Sequence, residues 1–150
     1  MLEMTKSVQA AILAHAAKEA PQECCGLIVQ AGGKQLYRPC GNVAADPSAR
    51  FEIAPPDWIE VSDQGEVCAI VHSHPQGEPW LSGADRQMQV ANGLPWVLAV
   101  SGSLKQLFSR PTPFPKGNPH ENHPSSLPFY RTLCMFRKKA SPTSRYAFSD

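Results

Sequence analysis

Between residues 5 and 19 apolar positions recur at helical spacing, with Val8, Ala11, Ile12, His15 and Ala16 on one face. Thr5 stands where a capping hydroxyl belongs, and Pro21 ends the helix. His15, placed on that apolar face, reads as a packed histidine. The period then shortens. Residues 26–30 and 34–39 read as strands joined through Ala31-Gly32-Gly33, a hairpin signal. Residues 51–53 predict a short strand, and Pro55-Pro56 opens a helix reaching about Ser62. Residues 66–71 are apolar and β-branched enough for a buried strand. A helix follows, with Ser82 at its start and Gly93 just past its end. Residues 96–100 and 104–109 predict a last hairpin around Ser101-Gly102-Ser103. Strands interleaved with helices indicate an α/β domain.

The chemistry collects around the strand at 66–71. It runs into His72-Ser73-His74-Pro75, and after six more residues comes Ser82-Gly83-Ala84-Asp85. Side chains two apart on a strand share a face, so both imidazoles point the same way. Asp85 would arrive from the first turn of the next helix. Two histidines and one carboxylate form the donor set of a catalytic zinc site, whose open fourth position holds a water with its pKa lowered to about 7. Each part also has a plainer reading: a histidine pair near a strand end is often only solvated, and Ser-x-x-Asp is close to a helix capping box. Capping does not account for His-x-His-Pro, and a solvated pair does not account for the acid that follows it. The joint pattern favours the metal.

His72-Ser-His74-Pro75 with Ser82 and Asp85 resembles the JAMM motif of MPN-type metallopeptidases. That motif includes an upstream Glu, and Pro21-Gln22-Glu23-Cys24-Cys25-Gly26 supplies Glu23 in the family's Glu-x-x-Gly context. The resemblance covers residues 1–110. It implies the family's α/β fold, a curved mixed β-sheet flanked by helices and related to the cytidine deaminase architecture. It further implies that His72, His74 and Asp85 bind zinc, that Glu23 is the general base, and that Ser82 donates to the oxyanion during hydrolysis of a peptide or isopeptide bond. Around the motif, Pro55-Pro-Asp-Trp58 and Pro75-Gln-Gly-Glu-Pro-Trp80-Leu-Ser resemble the N-terminal module of lambda-like phage tail-assembly proteins. The expected partner is then a protein or peptide substrate, such as a tail protein with a ubiquitin-like part, met in the cytoplasm of a bacterial host. Trp80, between the histidines and Ser82, is expected to line the substrate groove. The alternative is a catalytically silent MPN scaffold, although such modules usually lose a ligand or the Glu. A zinc deaminase is rejected, because His-x-Glu with Pro-Cys-x-x-Cys is absent.

Composition narrows the picture a little. A chain of 150 residues with 42% apolar and 18% charged residues fits one folded unit. Its net charge of +1 argues against nucleic acid as a partner. That figure averages 8 basic and 11 acidic residues over 1–110 with 6 basic and 2 acidic over 111–150. No apolar run approaches the roughly 18 residues of a membrane span, and the start lacks the regions of a signal peptide, so a cytoplasmic location is expected. The five cysteines form no Cys-x-x-Cys pair, which suggests neither a disulfide scaffold nor a thiolate zinc site. Cys24 and Cys68 read as small buried residues beside the site. Seven of the fifteen prolines fall within 111–150, which therefore reads as a disordered tail. His120-Glu-Asn-His123 in that tail lacks the helical spacing of a zincin.

Overall fold

A computed structural model of the chain describes residues 2–108; the expected tail, with His120, His123 and Cys134, lies outside the described residues. Helix α1 (Lys6–Glu19) begins at Thr5, whose hydroxyl accepts from the Val8 amide as the sequence predicts. Strands β1 (Cys25–Ala31) and β2 (Lys34–Cys40) form the expected antiparallel hairpin. Gly32 and Gly33 make its turn at φ 55° and 75°, a conformation that costs other residues dearly. Helix α2 (Pro55–Gln64), strand β3 (Glu66–Ser73), helix α3 (Gly83–Asn92) and strands β4 (Trp96–Val100) and β5 (Ser103–Leu107) follow.

The five strands form one mixed sheet in the order β2-β1-β3-β4-β5. Only β3 and β4 run parallel, and α3 connects them. Parallel neighbours need such a crossover, and it brings the start of α3 back toward the carboxyl ends of the strands, where ligands of α/β sheets gather.

Both faces of the sheet are covered. Val8 and Ile12 of α1 pack on Ile28, Ala69, Val71, Val97 and Ala99. On the other face Leu27, Val29, Ile70 and Trp96 pack with Phe51, Val61 and Leu81, and with the partly buried Met88 of α3. Double coverage explains why β1, β3 and β4 read as nearly continuous apolar runs rather than alternating ones. Ile12 is fully buried, so truncating it to alanine should cost about 2–5 kcal/mol.

Two sequence expectations need correction. Residues 51–53 make no strand: Ile53 contributes a single bridge to Asn42, because the segment turns inward at Phe51 and Pro55 starts a helix at once. Cys68 is not a buried neighbour of the histidines. It is the extra residue of a bulge where β3 shifts register against β1, only partly buried, and it packs toward the α1 side. His15 is the packed histidine the sequence suggests, with Nδ1 2.8 Å from the Tyr37 hydroxyl.

Candidate metal centre

The centre is assembled where β1 begins and β3 ends. Cys25 pairs with His72 in the antiparallel register, and the ladder is extended one step by the Ser73 amide donating to the Cys24 carbonyl at 3.1 Å. The Ser73 side chain returns the favour by accepting from the Cys24 amide at 2.8 Å. This double tie carries Glu23, just ahead of β1, to the side of His74. The His74 amide donates to the Ala99 carbonyl at 3.0 Å, continuing the parallel pairing with β4. Asp85 enters from the first turn of α3.

His72 Nε2 and His74 Nε2 lie 3.1 Å apart, and Asp85 Oδ2 is 3.5 and 3.4 Å from them. A tetrahedral ion with bonds of about 2.0–2.1 Å has edges of about 3.3 Å between its ligand atoms, so the three separations fit such an ion. The tautomer of His74 agrees with this. His74 Nδ1 is 2.8 Å from the Glu78 carbonyl, so Nδ1–H donates there and leaves the Nε2 lone pair facing inward. All three residues are buried, and Glu23 Oε1 stands 3.9 Å from His74 Nε2. Glu23 Oε2 and His72 Nδ1 are buried without a hydrogen-bond partner among the described residues. An unpaired buried carboxylate oxygen is costly and marks a site built for a further group.

The charges are strongly coupled. Burial raises the Glu23 carboxyl to about 7, with His74 opposing and Asp85 adding to the rise. For Asp85 burial acts upward, but the two imidazoles and the Ser82 side chain overcome it and hold the carboxyl well below its usual range. Burial lowers His72. His74 is raised: burial works against its charge, yet its bonds to Asp85 and the Glu78 carbonyl and the nearby Glu23 outweigh it.

Ser82 and Asp85 do form a capping box: Ser82 Oγ accepts from the Asp85 amide at 3.1 Å while the Ser82 amide donates to Asp85 Oδ2 at 2.9 Å. The box and the donor cluster thus share one carboxylate. The cap uses a lone pair of Ser82 Oγ, and Ser82 itself is exposed. Trp80 is 57% exposed, on the segment linking His74 to Ser82. Sequence reasoning missed Phe51, whose ring stacks on His72 with centroids 4.6 Å apart and planes inclined by 23°. It also missed the Glu78 carbonyl that orients His74. An aromatic 21 residues upstream of its partner carries no local pattern, and a carbonyl carries none at all.

The profile of prokaryotic homologs of the JAB domain matches residues 5–111. The chain belongs to this JAB-domain family. It is similar to tail tip assembly protein K of Escherichia phage N15, 44% identical over 102 residues that cover 67% of this chain and 42% of that protein. The protein of the same name from Escherichia phage lambda is 52% identical over 52 residues, covering 35% of this chain and 26% of that protein. The chain therefore spans less than half the length of either phage relative. The desampylase of Haloferax volcanii is 29% identical over 98 residues, covering 57% of this chain and 70% of that enzyme. The solution structure of protein DSY2949 from Desulfitobacterium hafniense shares the fold, with a TM-score of 0.57 at 22% identity over 68% of this chain and 78% of that one.

Proposed function

We propose that this domain is a zinc-dependent peptidase or isopeptidase acting on a protein substrate during phage tail assembly, in the cytoplasm of a bacterial host. The observation that carries the reading is the convergence of His72 Nε2, His74 Nε2 and Asp85 Oδ2 with the Glu23 carboxylate alongside. Membership of the JAB-domain family and the desampylase relative support hydrolysis of an amide bond, and the phage relatives support the setting. A tail protein with a ubiquitin-like part is the partner we favour.

His72, His74 and Asp85 would hold the ion, which when bound supplies Lewis acidity and makes water a nucleophile near neutral pH. Glu23 takes a proton from the attacking water on a carboxylate oxygen and returns it to the leaving amine. A carboxyl raised by burial suits both halves of that exchange better than an ordinary one. Ser82 Oγ–H would donate to the carbonyl oxygen as negative charge builds there, a contribution of about 10²–10³ in turnover in comparable sites. Burial of His72 under Phe51 and Trp96 fixes its ring and excludes bulk water from its far side.

Metal content after dialysis, measured by elemental mass spectrometry on the wild type beside Asp85→Ala, tests the reading. One zinc per chain in the wild type and none in the variant is expected. A metal-free wild type that cannot be reloaded would overturn it and leave a partner-binding scaffold.

A further inference from the structure

The Glu23 carboxylate is aimed by its backbone. Among the described residues Oε2 has no hydrogen-bond partner, and Oε1 lies 3.9 Å from His74 Nε2. Residue 23 lies ahead of β1, outside the regular ladder, so its place depends on whatever grips its peptide groups. The grip comes from the irregular segment between β2 and α2. The Glu23 amide donates to the Pro47 carbonyl at 2.7 Å, and the Glu23 carbonyl accepts from Asn42 Nδ2 at 2.9 Å.

Asn42 does more than hold Glu23. Its Nδ2 also donates to the Arg50 carbonyl at 3.1 Å, and its Oδ1 accepts from the Ala44 and Glu52 amides, each at 3.1 Å. A backbone bond from Val43 to Glu52 at 2.9 Å closes the same loop. One half-buried amide side chain therefore pins residues 44, 50 and 52 to the peptide of residue 23. Phe51, set between two of the pinned positions, is the ring that stacks on His72. The base and a ligand's packing partner hang from the same side chain.

We infer that Asn42 is a positioning residue: through its Nδ2 donor it places the Glu23 carboxylate at the donor cluster, and through its Oδ1 acceptor it holds the loop that seats Phe51 on His72. The inference rests on Glu23 serving the centre as proposed above. Its test reads the metal-free protein, so it succeeds or fails independently of zinc binding or hydrolysis.

Asn42→Asp separates the two halves, since aspartate keeps the acceptor and loses the donor. Amide hydrogen exchange by NMR should then show the Glu23 amide exchanging about tenfold faster or more, with Ala44 and Glu52 still protected. Asn42→Ala should release all three. The Glu23 side-chain carboxyl carbon, assigned by its disappearance in Glu23→Gln, should shift or broaden in both Asn42 variants at a fixed pH. Val8→Ala, which weakens the core on the opposite face of the sheet from Phe51, should leave that resonance in place and so separates positioning from general loss of stability. An intact fold with an unchanged Glu23 amide and carboxyl in Asn42→Asp overturns the inference. Should the variants fail to fold, the wild type decides: the Asn42 side-chain amide protons must exchange slowly, and exchange at the free-amide rate overturns it equally.

Discussion

The domain packs histidine in two ways. On the α1 side, His15 has a partner for each ring nitrogen, the Tyr37 hydroxyl at 2.8 Å and the Glu19 carboxylate at 3.8 Å. At the end of β3, His72 is more deeply buried, yet its Nδ1 has no partner among the described residues and its Nε2 faces another imidazole and a carboxylate. Burial lowers the pKa of both rings, so burial alone does not tell them apart. What separates them is the direction of the lone pairs. A structural histidine distributes its nitrogens among different neighbours, whereas the β3 pair brings two nitrogens and an oxygen to one point.

The sharpest way to break this contrast is to remove a converging atom. On the proposed reading His74→Ala should lose zinc entirely, whereas Glu23→Ala should keep it and lose hydrolysis, because the proposed base is not a donor; elemental analysis beside an activity assay distinguishes the two. A smaller effect is expected from Phe51→Leu, which keeps every donor but removes the ring stacked on His72. Metal affinity should fall by about 10–100-fold, read by competition with a chromophoric chelator. His15→Gln should leave metal content untouched and instead lower stability by about 1 kcal/mol, a loss of roughly 4–8 °C in Tm for a domain of this size. The smallest effect concerns pH. Burial holds the folded-state pKa of His15 below the ordinary imidazole value of about 6.5, so folding favours the neutral ring. The stability this contributes is present above about pH 6.5 and is lost as pH falls through the lower folded value. Urea titrations below pH 6.5 should therefore show a shallower acid decline for His15→Gln than for the wild type.

The sequence made the donors legible because each sits in or next to a regular element with its own local code. Period-two spacing put His72, in β3, and His74, one residue past its end, on one side, and the Ser82 cap fixed which turn of α3 carries Asp85. Glu23 was legible only through the family resemblance, since it belongs to no regular element and its place depends on residues 42 and 47. The short strand expected at 51–53 failed for a related reason. Phe51 carries a β-former's composition, but its burial comes from His72 and Trp96, contacts that alternation along the chain cannot encode. Cys68 misled in the opposite sense. An apolar run hides a bulge, because the extra residue looks like its neighbours while the ladder passes it by.

Asp85 Oδ2 is held by the Ser82 amide at 2.9 Å before any cation arrives. The carboxylate is therefore presented at the tip of an already nucleated helix and has little freedom to swing. Large hard cations such as calcium need six to eight oxygens at about 2.3–2.6 Å from ligands that adjust to them. A stiff oxygen flanked by two nitrogens offers neither the number nor the give. On the proposed reading, selectivity among cations would follow from the start of α3, where the capping hydrogen bond that begins the helix also holds a donor oxygen in place.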